Sequence, residues 1–233
     1  MRHKIISILM AVCLLVSMFY LAQTAAQYTM NWQKQSQENQ RIVLIDAGHG
    51  GDDPGKVGIN GALEKDINLS IALLVKKYLE MQDVKVVMTR NEDEGLYRKE
   101  SPNKKIEDLK NRLALMDASG AAMAVSIHQN SYTSEKIKGA QVFYYESSEE
   151  GKKAALLMQE QLRKGVDETN RREAKANSSY YLLKKASIPT IIVECGFLSN
   201  GEESEMLTRE EYQEKMAWNI SIGILQYLNV MVY

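Results

Sequence analysis

Three short runs of aliphatic residues, each ending on a side chain that can bind a metal or move a proton, constrain this chain more than anything else in it. The first, Arg41-Ile42-Val43-Leu44-Ile45-Asp46-Ala47, leads into Gly48-His49-Gly50-Gly51. The second, Met123-Ala124-Val125-Ser126-Ile127, ends on His128-Gln129-Asn130, and the third, Pro189-Thr190-Ile191-Ile192-Val193, ends on Glu194. Continuous apolar runs of this length read as strands covered on both faces, the pattern of a parallel sheet. Sites in open α/β sheets gather beyond the carboxyl ends of the strands. Three such strands deliver two imidazoles and a carboxylate to one edge.

The segments between them fit that architecture. From Glu64 to about residue 81, Ile67, Ile71, Leu74 and Tyr78 make one apolar helical stripe. Residues 84–88 read as a strand, and a charged, proline-containing loop (91–105) leads to a helix with Ile106, Leu109, Leu113 and Met116 on one face. Repeated β-α-β predicts a single α/β domain, a mainly parallel twisted sheet with helices on both faces and the site at the C-terminal strand ends. Further on, the pattern predicts a strand at 141–145 and a helix over 148–167 carrying Ala155, Leu156, Gln159 and Leu162. Residues 169–179, with Arg171, Arg172, Lys175 and Asn177, read as a polar exposed loop, 180–183 as a short strand and 212–228 as a closing helix.

Met1-Arg2-His3-Lys4 and the apolar run 5–21 have the form of an export signal, with Thr24-Ala25-Ala26 as a possible cleavage site. Left uncut, the run is only just long enough to span a bilayer. The expected organisation is a signal peptide or membrane anchor (1–26), a Gln-, Asn- and Ser-rich spacer (27–40) and a catalytic domain (41–233). The protein is therefore expected outside the cytoplasm, secreted or N-terminally anchored, touching a membrane only through the leader. Lys+Arg 29 against Asp+Glu 30 gives a net charge of −1, and bulk charge points to no nucleic-acid partner. Cys13 lies in the leader, which leaves Cys195 alone in the domain, without an intramolecular disulfide and read as a buried structural thiol.

Two histidines and one carboxylate are a common ligand set for a catalytic zinc ion with an open position. His49 and His128 supply the imidazoles. Asp46, Asp52, Asp53, Glu64 and Glu194 are candidates for the third ligand. Asp46 lies within a strand ending and is better placed to orient the site; Asp52 and Asp53 lie in a glycine-rich loop. Glu64, at the end of that loop, can fold back over the strand end, although an acid at a helix N-terminus is also favoured by the helix dipole. Glu194 then stays free as a general base. Arg90 and Asn130 are candidate substrate-binding residues; Asn200, Tyr180 and Tyr181 could also reach substrate.

Asp46-Ala47-Gly48-His49-Gly50-Gly51, Glu64, Ser126-Ile127-His128-Gln129-Asn130 and Val193-Glu194-Cys195-Gly196-Phe197-Leu198-Ser199-Asn200 together resemble the zinc-dependent N-acetylmuramoyl-L-alanine amidases of the amidase-3 family, over about residues 41–229. The resemblance implies that His49, Glu64 and His128 bind Zn2+ and that Glu194 is the catalytic acid/base. It implies hydrolysis of the amide between the lactyl group of N-acetylmuramic acid and L-alanine of the stem peptide, with peptidoglycan as the macromolecular partner. A single catalytic domain behind a leader is similar to the germination-related spore-cortex subgroup, which prepares muramic-δ-lactam. The lack of a wall-binding module raises the expectation of an activating or targeting envelope protein. Two other readings stay open: a different envelope zinc hydrolase, such as a peptidase or deacetylase, and a catalytically silent peptidoglycan-binding or activator protein.

Overall fold

The computed structural model of the chain describes the backbone of residues 2–38 and 41–230, and the side chains of all of these except 2–5, 7, 9, 11, 29–38 and 230. Met1, residues 39 and 40 of the expected spacer and residues 231–233 of the expected domain lie outside it. The chain divides into two units, residues 1–40 and 41–233. In the first, a continuous helix α1 (Arg2–Glu38) runs through both the expected leader and the expected spacer. Among the described residues no helix is long and apolar enough to cross a membrane.

The second unit is built on six strands: β1 (Ile42–Ala47), β2 (Lys85–Met88), β3 (Met123–Asn130), β4 (Gln141–Tyr145), β5 (Lys175–Asn177) and β6 (Thr190–Phe197). Their spatial order is β2-β1-β3-β6-β4-β5. All neighbours run parallel except β4 and β6, which are antiparallel. The three strands singled out in the sequence are thus adjacent at the centre, where every residue of β6 is buried.

Helices cover both faces, as the repeated β-α-β pattern requires. On one face Val43, Ile45 and Ala47 pack with α2 (Glu64–Glu80), α4 (Glu149–Gly165) and α7 (Glu210–Val230) in the larger core. Ile191, Val193 and Cys195 of β6 belong to this core. On the other face Leu44 and Ala124 pack with Met116 of α3 (Lys104–Ala118) and Leu182 of α5 (Tyr181–Lys185). Because successive strand residues face opposite sides, Cys195 is sealed in the first core while Glu194 turns toward α5. Burial also pushes the Cys195 thiol well above its ordinary value.

Four expectations need correction. Residues 180–183 are not a strand: Asn177 Oδ1 accepts from Ser179 N and Tyr180 N, turning the chain directly into α5. A short apolar run carries no periodicity that separates helix from strand. The polar stretch 169–179 contains the edge strand β5. Ile106 and Leu156 are exposed, while Leu109, Leu113 and Met116 of α3 and Ala155, Gln159 and Leu162 of α4 face the core as expected; Arg112 is buried in α3 beside them. Finally, α6 (Gly201–Leu207), capped by Asn200 accepting from Glu203 N, precedes α7 and was not foreseen; Asn200 serves this cap, and its Nδ2 donates to Glu135 O.

Candidate active site

The end of β1 rests on a charged floor. Asp46, fully buried, accepts from Thr89 of the chain leaving β2, from Ser126 of β3 and, at 2.6 Å, from Arg112 Nη1. Burial pushes the Asp46 carboxyl up, but the Arg112 charge and the hydroxyl hydrogen bonds outweigh it and bring the pKa to about 2. Arg112 also donates to the carbonyls of Ala47 and His49. Arg90 donates to those of Ala47, Gly48, Lys65 and Glu92. Arg90 is therefore not a substrate-binding residue: only 1% exposed, it spends its guanidinium on backbone oxygens that turn away from the β ladder and need donors. Asp46 ties β1 to β3 and to the chain leaving β2 beneath the site, and its hydrogen bonds go to neither imidazole. Removing one partner of a buried ion pair costs about 3–5 kcal/mol, so Arg112→Met should lower the melting temperature by roughly 10 °C, measured by calorimetry.

On this floor His49 adopts φ +63°, which turns its ring back over the strand ends. Its Nδ1 lies 2.9 Å from Asp53 Oδ2, and its Nε2 3.2 Å from Glu64 Oε1. His128 Nδ1 lies 2.9 Å from the same Glu64 oxygen. The two rings meet edge to face, with centroids 5.0 Å apart. Gly48 permits this arrangement: a Cβ there would come within 2.2 Å of the His128 ring.

Glu64 is reached as the loop position suggests. It opens α2, is 2% exposed, and its Oε2 accepts from Lys56 N while Oε1 also accepts from Gln129 N and from Asn68 Nδ2 at 3.4 Å. Burial raises its pKa, but hydrogen bonds and charge from His128 and His49 prevail and hold it ionised far below the usual carboxylate range. Burial likewise pushes His128 down, and Glu64 more than reverses it, so that imidazole is raised. Among the described residues His49, Glu64 and His128 form one metal-capable group, with donor atoms within 4.8 Å of one another. Two imidazoles and a carboxylate suit zinc. Asp53, accepting a hydrogen bond from His49 Nδ1, favours the tautomer whose Nε2 keeps its lone pair for a metal. Sequence reasoning weighed Asp53 only as a ligand; its i, i+4 spacing from His49 was the available signal.

Glu194 stands opposite His128 in the β3–β6 register, next to a bulge between His128 and Asn130. It is 7% exposed, and its Oε2 has no hydrogen-bond partner. Burial pushes its pKa up; attraction to His128 opposes this, repulsion from Glu64 reinforces it, and the result is about 7. A folded-state pKa above the unfolded one favours folding below the unfolded value and loses that advantage as pH rises toward 7. Glu194→Gln should therefore stabilise the metal-free protein by up to about 3 kcal/mol at pH 8, and by little near pH 4, as read from denaturant titrations.

These side chains line a cleft of about 450 Å³ that also includes Asn130, Tyr180, Tyr181, Lys56 and Lys105. Asn130 Oδ1 accepts from Ser131 N. Tyr180 packs edge to face on Phe143, and burial raises its phenol.

A family model described as N-acetylmuramoyl-L-alanine amidase (amidase-3) matches residues 43–226. The germination-specific N-acetylmuramoyl-L-alanine amidase of Bacillus subtilis (strain 168) is 39% identical over 190 residues, covering 80% of this chain and 79% of that protein. The structure of the CwlD amidase from Clostridioides difficile, in complex with the GerS lipoprotein, superposes with a TM-score of 0.80 at 44% identity, over 82% of this chain and 100% of that one. The catalytic domain of CwlV, an N-acetylmuramoyl-L-alanine amidase from Bacillus (Paenibacillus) polymyxa var. colistinus, superposes with a TM-score of 0.70 at 32% identity, over 82% and 99% of the two chains.

Proposed function

The chain belongs to the amidase-3 family of N-acetylmuramoyl-L-alanine amidases, and from that premise we propose that it is a zinc enzyme in which His49, Glu64 and His128 hold the metal and Glu194 moves the proton. The observation that carries this reading is one cleft holding both a compact His-Glu-His donor set and a buried carboxylate with an unpartnered oxygen. The bond cut is the amide between the lactyl group of N-acetylmuramic acid and L-alanine.

When bound, zinc supplies Lewis-acid polarisation of the scissile carbonyl and makes water acidic near neutral pH. The rest belongs to the chain. Asp53 keeps the His49 ring in register, and the Arg90 and Arg112 guanidiniums keep its backbone in place. Glu194 takes the proton of the attacking water and returns it to the alanine nitrogen as the C–N bond breaks. Its desolvated setting supports both halves of the cycle, because a carboxyl titrating near 7 can accept and release a proton at neutral pH. Asn130, at the mouth beside the bulge, is proposed as a substrate contact.

The likeness to the germination-specific enzyme of B. subtilis supports a role in spore cortex. The CwlD–GerS complex supports an envelope protein partner. Export is proposed from the basic-then-apolar leader of residues 1–26. Incubation of purified peptidoglycan, cortex included, with the protein and zinc should release intact stem peptides with L-alanine at the amino terminus, detected by mass spectrometry, and chelator should stop it. Fragments cut within the stem, or acetate, would assign a peptidase or deacetylase instead.

A further inference from the structure

The lysines at positions 56, 65, 104 and 105 divide into two kinds. Lys65 is paired with Asp93 at 2.6 Å and Lys104 with Asp52 at 2.5 Å. Lys56 and Lys105 both line the cleft with the metal-capable group, and among the described residues neither has a carboxylate within ion-pair distance. The neighbouring acids spend their hydrogen bonds elsewhere, Asp53 on His49 and Gly55 N and Asp108 on Arg112 and Leu96 N, and Lys105 reaches Asp53 only through longer-range charge. The charges acting on Glu194 are those of His128, Glu64 and His49, not of either lysine.

We propose that Lys56 and Lys105 form a carboxylate-binding subsite that selects stem peptides whose acids are free over those whose acids are amidated. This rests on the amidase reading, because a stem peptide supplies the carboxylates. An anionic peptide entering this cleft meets, in Lys56 and Lys105, two ammonium groups without an ion-pair partner among the described residues, and these supply the complementary charge. Lys56 comes from the glycine-rich loop whose backbone anchors Glu64, and Lys105 from the first turn of α3. The two arrive from separate elements, so their charges converge only in the folded domain.

The test uses the zinc-loaded full chain carrying Glu194→Gln, which leaves substrate intact, and calorimetric binding of two N-acetylmuramyl peptides, one with free carboxylates and one with carboxamides. The acid form should bind about tenfold tighter. Lys56→Met and Lys105→Met, which keep the aliphatic stem, should each remove about threefold of that preference, and the double variant nearly all of it. Lys→Arg at both positions should restore it. Equal affinity for the two peptides, or a preference that survives the double Met variant, overturns the proposal. Turnover of the free-carboxylate substrate by the unmodified protein tests the amidase reading separately, because the binding ratio needs no turnover.

Discussion

Glu194→Gln is expected to reduce stem-peptide release by about 10³-fold or more while the protein still binds one zinc ion. The substitution keeps volume and shape and removes the charge together with the ability to exchange a proton. It acts on a group whose Oε2 makes no hydrogen bond that the fold depends on. kcat and kcat/KM should fall together, the signature of an interaction made only in the transition state. Zinc content by mass spectrometry under native conditions and turnover of a defined muropeptide settle it. Full activity in this variant would remove Glu194 from the chemistry, and loss of zinc along with activity would move it into the ligand set.

His128→Ala and Glu64→Gln are expected to abolish activity through the opposite route, by losing zinc. Even an outer partner of a metal ligand is worth about 10–100-fold in affinity, and a ligand itself is worth more. The two variants should still differ. His128→Ala removes a ring that packs over Gly48 and leaves a gap in the cleft wall. Glu64→Gln keeps one acceptor oxygen, enough for Lys56 N or for Gln129 N but not for both, and it loses the charge that raises His128. Competition with a zinc-responsive dye gives the affinities; unchanged zinc affinity in Glu64→Gln would exclude that carboxylate as a ligand.

How much of this could be read from the residues follows from what each feature depends on. The runs ending at His49, His128 and Glu194 were legible because a doubly covered parallel strand has to be apolar throughout, and a polar group directly after it stands out. The helices α2 and α7 were legible from spacing or apolar content. The edge of the sheet was not: β5 has three residues, two of them exposed, and offers no apolar signal. Arg90 was misjudged because an arginine that follows a strand looks like a ligand for an anion. Its real partners are main-chain carbonyls, which no sequence pattern displays. Arg112 hid for the related reason that its partner, Asp46, lies 66 residues away. The antiparallel entry of β4 beside β6 likewise depends on pairings between distant segments.

The paired guanidiniums beneath β1 bear on how the protein survives between metal-loading events. Because carbonyls 47, 48 and 49 are held by side chains from the chain after β2 and from α3, the loop carrying the first histidine is tied to its surrounding protein and does not depend on a metal for its place. Amide protons around Gly48 should therefore exchange with solvent no faster in chelated protein than in loaded protein. If zinc binds as proposed, it would then come and go as a surface event with no refolding step between, and an emptied copy would remain a reserve of enzyme rather than a substrate for proteolysis.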